Sequence, residues 1–301
     1  MSWFHSMIAH TLPIVPKEIV RRVSARYVAG ERLEDAVATV RALNRQGMMA
    51  TLDVLGEFVS TAEEARRAGS QYRDLLQAIE REKLDSNVSL KLTQMGLKVD
   101  LGLCHEIVRG VVEEAARHGN FVRIDMEDSS CTDDTLAVYE RVRQEFPGHV
   151  GCVIQAYLKR SLADVRSLAE RRANVRLCKG IYIEPARIAY KRHEEINRSF
   201  NELLGVLLQG GSYVGIATHD RELVEAAYRI IQEHRLDPAK YEFQMLLGVT
   251  ERLRGEVLER GHRLRVYVPF GSHWYPYSLR RLKENPEVAG HILRNLVNGR
   301  S

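Results

Sequence analysis

The sequence predicts a single (β/α)8 TIM-like barrel preceded by a helical extension. Eight short β-rich apolar runs recur along the chain, and each is followed by a stretch with helical spacing. A doubly wound open sheet would place a glycine-rich phosphate turn after its first strand. Here the first run leads into Asp53-Val54-Leu55-Gly56-Glu57, and no GxGxxG occurs anywhere. The length of 301 residues fits one barrel of about 250 residues plus a short extension. One domain over 1–301 is therefore expected, with helices in 1–44 and the barrel in 45–301.

In chain order, Lys17–Leu43 reads as one or two amphipathic helices, with Ile19, Val20 and Val23 and then Leu33, Val37, Val40 and Leu43 at helical spacing. The strands are expected at Met48–Asp53, Asn87–Thr93, Phe121–Met126, Val150–Gln155, Asn174–Lys179, Tyr213–Thr218, Tyr241–Leu246 and Arg263–Val268. Ser60 with Glu63 and Ser161 with Asp164 match capping boxes, and Asn285 before Pro286 matches a cap followed by proline.

A composition of 45% apolar and 28% charged residues can bury a full core, which excludes a disordered chain or a disulfide-stapled mini-protein. Lys plus Arg at 44 against Asp plus Glu at 40 leaves +4, too little to predict a nucleic-acid partner. Cys104, Cys131, Cys152 and Cys178 form no CxxC pair, so a reducing compartment fits and no metal site is expected. Cys152 and Cys178 read as small buried hydrophobes. No apolar run approaches the ~18 residues of a spanning helix, and Met1–Pro16 lacks the basic opening of a secretory signal.

Barrel chemistry belongs to the C-terminal ends of the strands. Those ends are rich in polar residues: Asp53, Lys91, Asp125, Gln155, Arg176 with Lys179, Thr218 with His219, Gln244, and Tyr267. Lys91, Arg123 and Asp125 sit inside apolar runs, where a charge must be paired or it costs several kcal/mol. Lys91 and Asp125 belong to neighbouring strands, so a mutual ion pair is expected. With Arg176 and Lys179 two strands later, this cationic mouth invites an anion. After the last strand, Tyr277, Arg280, Arg281 and Glu284 fall on one face of a short helix starting near Pro276. Two adjacent guanidiniums there can clamp a carboxylate, with Glu284 holding one of them. The same residues also allow a Schiff-base lyase or aldolase using Lys91 or Lys179, or a non-catalytic barrel that binds a small carboxylate.

The ordered series Ser89-Leu90-Lys91, Arg123-Ile124-Asp125-Met126-Glu127, Gln155-Ala156-Tyr157, Val175-Arg176-Leu177-Cys178-Lys179-Gly180-Ile181-Tyr182, Ala217-Thr218-His219-Asp220, Tyr241-Glu242-Phe243-Gln244-Met245-Leu246 and Tyr277-Ser278-Leu279-Arg280-Arg281-Leu282-Lys283-Glu284-Asn285 resembles the proline dehydrogenases in their monofunctional bacterial form. The resemblance implies a distorted barrel with a C-terminal helix covering its mouth. It implies FAD across that mouth, contacted by Met126, Gln155, Arg176, Lys179, Gly180, Ile181, Thr218 and His219. L-Proline would lie above the flavin, its carboxylate on Arg280 and Arg281 with Lys91 and Asp125 beside it, and its ring enclosed by Leu177, Tyr182, Tyr267 and Tyr277.

The resemblance further implies hydride transfer from the ring to flavin N5, with Arg176 stabilising the reduced flavin, and Δ1-pyrroline-5-carboxylate as the product. Electrons would pass to a membrane quinone from a cytoplasmic enzyme held at the inner membrane face. Because the chain ends at Ser301, a separate dehydrogenase would oxidise the product. Lys17–Tyr27, with Arg21, Arg22 and Arg26, is the best sequence candidate for a membrane contact, but an ordinary surface helix packed on the barrel is the favoured reading of that segment.

Overall fold

The computed structural model describes residues 20–21, 24–56 and 58–284. Helix α1 (Leu33–Arg45) leads into β1 (Met49–Val54), α2 (Ala62–Arg81), β2 (Ser86–Leu90), α3 (Leu101–Arg117) and β3 (Val122–Ile124). These are followed by α4 (Thr132–Glu145), β4 (Val150–Gln155), α5 (Ser161–Glu170), β5 (Asn174–Cys178) and α6 (His193–Gln209). The chain continues with β6 (Tyr213–Ala217), α7 (Arg221–Glu233), β7 (Tyr241–Leu246), α8 (Glu251–Glu259), β8 (Leu264–Phe270) and α9 (Trp274–Glu284). All neighbouring strands are parallel, and β8 closes on β1 with Met49 beside Arg265 and Val54 beside Phe270.

Alternation along each strand divides the side chains into two sets. Leu52, Val88, Ile154, Leu177, Ile216 and Val266 face the helices and are at most 2% exposed within one continuous core. Burial of each such side chain contributes about 1.5–3 kcal/mol, which holds the helical ring to the sheet. The inward set contains many polar residues. Thr51 bonds Asn87 at 2.6 Å, and Glu242 pairs with Arg265 at 2.7 Å while accepting Tyr213 Oη at 2.7 Å. Arg123 is 2% exposed, and its two terminal nitrogens donate to the carbonyls of Cys152 and Asn174 and to the Asn174 side chain, at 2.5–2.9 Å, while Nε has no partner among the described residues. Carbonyl dipoles thus replace the counterion expected for it, and burial together with nearby Arg176 pushes its pKa down to about 10.

β4 and β7 occupy the expected ranges, whereas β2 and β3 stop before Lys91 and Asp125, which lie just past the strand ends. The α2 cap is shifted by one residue from Ser60 and Glu63: Thr61 accepts the Glu64 N–H at 3.2 Å and Glu64 accepts the Thr61 N–H at 3.0 Å. Glu63 instead pairs with Arg67 one turn on. Ser161 is not a cap either; it bonds the Gln155 carbonyl at 2.7 Å, and Arg160 takes Asp164 at 2.8 Å. Helix α9 starts at Trp274, two residues before Pro276. The Asn285–Pro286 signal lies outside the described residues.

The chain entering the barrel straps the end of β8: the Ala29 N–H donates to the Pro269 carbonyl and the Gly271 N–H to the Gly30 carbonyl, both at 2.9 Å. Arg21 pairs with Glu31 at 2.5 Å and lies over the Trp274 ring, while Arg26 sits 3.8 Å from Glu251. These two cations of the Lys17–Tyr27 segment contact the protein's own carboxylates, and residues 17–19 and 22–23, Arg22 among them, lie outside the described residues. Among the described residues no helix is long and apolar enough to cross a membrane.

Candidate active site

Asp125, just past β3, is the centre of the mouth. It accepts Ser89 Oγ at 2.6 Å, Arg176 at 2.6 Å and Tyr267 Oη at 2.9 Å. Burial would raise its pKa, but Arg176 and then Lys91 outweigh that effect and hold it below the ordinary carboxylate value. Arg176 also donates through Nε to Gln244 Oε1 at 2.6 Å, and its guanidinium carbon lies 5.3 Å from the centroid of the Tyr267 ring. Burial pushes the Tyr267 phenol well above its usual value, with Asp125 adding to the rise, so Tyr267 stays a donor.

Lys91 does not take Asp125 as its main partner. Its Nζ lies 3.0 Å from both carboxylate oxygens of Asp53 and 3.8 Å from Asp125. Asp125 already accepts three other donors, whereas Asp53, buried on the adjacent strand, accepts only Lys91 and Tyr72 among the described residues. Burial opposes the ammonium, yet Asp53 and then Asp125 raise its pKa. A lysine held protonated between two carboxylates is not the neutral amine that a Schiff-base enzyme needs.

A second group lies at the ends of β5 and β6. Lys179 Nζ bonds Asp220 at 2.5 Å and His193 at 3.1 Å, and Asn197 donates to Asp220 at 3.2 Å. Burial alone would raise the Asp220 pKa, but its bond to Lys179 leads the opposing effects and brings it to about 2. Thr218 is buried and accepts the Asp220 N–H at 3.1 Å. His219 Nε2 accepts the Leu246 N–H at 3.1 Å, which leaves Nδ1 to donate to Thr250 at 2.9 Å. The three mouth cations, Lys91, Arg176 and Lys179, thus each face their own carboxylate, and none supplies the surplus positive charge read from the sequence.

Met126 is buried, and Gln155 donates its amide to the Met126 and Glu127 carbonyls at 3.4 and 3.2 Å. The Gln155 Oε1 is buried with no partner among the described residues. Gly180 has φ +100°, and a Cβ there would enter the Tyr157 ring, so the ring packs directly on this backbone and only glycine fits. Ile181 is exposed, and Tyr182 and Tyr277 are half-buried. Leu177 departs from its expected place: Arg176 and Cys178 point inward, so the strand turns it to the helix side. Cys178 is protonated at neutral pH, since burial pushes its thiol up to about 11. The backbones of Arg280, Arg281 and Glu284 lie on α9, and their side chains fall outside the described residues.

Sequence reasoning missed Ser89, Glu242 and Arg265 and gave Asp53 and Gln244 no role. The signal was the strand period: Ser89, Glu242 and Arg265 each stand two residues before Lys91, Gln244 and Tyr267 and therefore share their face.

A closed parallel barrel with an ordered polar centre at its C-terminal mouth defines a barrel enzyme. The proline dehydrogenase family model matches residues 36–294. Proline dehydrogenase 1 of Bacillus subtilis subsp. natto is 38% identical over 288 residues, covering 95% of each chain. The proline dehydrogenase of Deinococcus radiodurans is 35% identical over 283 residues, covering 92% of this chain and 91% of that one. Among solved structures, proline utilization A from Bdellovibrio bacteriovorus, inactivated by N-propargylglycine, aligns with a TM-score of 0.82 at 26% identity. That alignment covers 87% of this chain and 32% of the other, so the barrel corresponds to about a third of that longer protein. The chain belongs to the proline dehydrogenase family and is an oxidoreductase of proline catabolism.

Proposed function

We propose that the protein oxidises L-proline to Δ1-pyrroline-5-carboxylate with FAD held across the barrel mouth, passing electrons on to a membrane quinone. A separate dehydrogenase would then consume the product. The observation that carries this reading is the Asp125–Arg176–Tyr267 centre beside a protonated Lys91, in a chain of this family. The residues present suit the flavin: Gln155 offers a buried oxygen with no partner among the described residues, and Gly180, with Tyr157 packed on it, would belong to the same wall. Met126, Arg176, Lys179, Ile181, Thr218 and His219 complete the set that would hold it. FAD, when bound, supplies the acceptor for the hydride that leaves the ring carbon.

The chain's own residues orient and exclude water rather than move many protons. Lys91, Arg176 and Lys179 are each matched by a carboxylate, and by the family motif the carboxylate of proline would be taken by Arg280 and Arg281, with Glu284 to steady one of them and Lys91 and Asp125 flanking it. Tyr182, Tyr267 and Tyr277 enclose the ring. Arg176, fixed by Gln244 and Asp125, places a buried positive charge where negative charge develops during the reaction. The enzyme would work in the cytoplasm against the inner membrane face.

Purified protein supplemented with FAD should show a yellow flavin spectrum that bleaches when proline is added without oxygen. Folded protein that stays colourless, or a flavin that proline does not bleach, would overturn the proposal.

A further inference from the structure

We infer that Asp53 is a positioning residue for catalysis, setting where the Lys91 ammonium stands at the mouth and thereby how tightly proline is held. This rests on the reading above, in which Lys91 flanks the substrate. Asp53 is 1% exposed at the inner face of β1, so it does not itself meet a ligand entering the mouth. Both of its oxygens stand 3.0 Å from Lys91 Nζ, whose side chain keeps 23% exposure toward the mouth. An ammonium has three protons. Two point at Asp53, and the third is left on the side of Tyr267 Oη, 3.5 Å away, where a substrate would compete for it.

Asp53 is itself fixed from behind. Tyr72, fully buried on α2, donates its hydroxyl to Asp53 Oδ1 at 3.2 Å and accepts the Val54 N–H at 3.2 Å. The order Val54, Tyr72, Asp53, Lys91 runs from strand backbone through a helix side chain to the mouth. Asp125 cannot replace Asp53, because Ser89, Arg176 and Tyr267 already hold its carboxylate and leave Lys91 at 3.8 Å.

The test is steady-state proline oxidation by the flavin-loaded enzyme carrying Asp53→Asn, Asp53→Glu, Tyr72→Phe, Lys91→Met, or Asp53→Asn with Lys91→Met. Inhibition by a cyclic carboxylate lacking the amine is measured alongside. Asp53→Asn should raise the proline KM and the inhibitor Ki by about 10–100-fold, with kcat changing less. Asp53→Glu should recover part of that loss, and Tyr72→Phe, which removes one hydrogen bond behind Asp53, should raise KM by about 2–10-fold. In the Lys91→Met background, Asp53→Asn should add nothing further.

An unchanged KM in folded Asp53→Asn, or additive effects in the double variant, would overturn the inference. If Asp53→Asn does not fold, Tyr72→Phe decides, and a KM unchanged there also overturns it. A wild-type enzyme inert toward proline would instead overturn the functional reading and, with it, this one.

Discussion

Gln244 Oε1 lies 2.6 Å from Nε of Arg176, and it faces that way because Glu242 accepts the other end of the same amide at 2.6 Å. Gly215, opposite on β6, has no Cβ to collide with the Gln244 amide, so this long side chain fits inside the barrel. Gln244→Leu removes the anchor at Nε, leaves Arg176 held only through Asp125 and Ser89, and should lower kcat by about 10-fold or more with an unchanged far-ultraviolet circular dichroism spectrum. Wild-type kcat in that variant would remove Gln244 from the support of Arg176.

Gly180→Ala places a methyl group in the Tyr157 ring and forces a residue with a side chain to φ +100°. The expected cost is about 1–3 kcal/mol, together with fewer flavins bound per chain. Thermal melting and the ratio of visible to protein absorbance measure the two effects.

At the closed end of the barrel, Glu242 and Arg265 are both buried and pair at 2.7 Å. Arg265→Met strands the carboxylate of Glu242 and should destabilise the protein by about 3–5 kcal/mol. Glu242→Leu with Arg265→Met should cost less than Arg265→Met alone, because no buried charge is left unpaired. Urea denaturation of the two variants gives the comparison.

Burial, with Arg260 nearby, holds His262 below its ordinary pKa of 6.5, and its Nδ1 stands 2.9 Å from Tyr241 Oη. Burial does the same to His105, with Arg141 adding to the drop. A histidine kept neutral in the fold binds a proton more readily once unfolded. Its contribution to stability is therefore complete above pH 6.5 and is lost as pH falls through 6.5 toward the folded value. The melting temperature should drop by a few degrees between pH 7.5 and 5, with a smaller drop in His262→Gln. An equal drop in that variant would exclude His262 as a source.

The order and number of the βα units were legible in the sequence because each strand presents a dense apolar face to the helices, as Val88 with Leu90 and Val175 with Leu177 do. Element ends were less legible. Ser60 with Glu63 and Thr61 with Glu64 fit the same capping pattern, and only the backbone path selects the second. In the site, Asp125, Arg176 and Tyr267 were found and do meet. Leu177 was misplaced because a motif names neighbours in the chain without saying which side of the sheet each one faces.

The sequence by itself determined the barrel, the family, and the charged residues that stand at its mouth, since periodicity and motif order are properties of the chain. Only the tertiary structure decided who pairs with whom. Lys91 has Asp125 on one neighbouring strand and Asp53 on the other, and both are within a lysine's reach. Which carboxylate it takes depends on how many donors the other already holds, and Arg176 and Tyr267 reach Asp125 from across the closed barrel. That competition exists only once β8 meets β1.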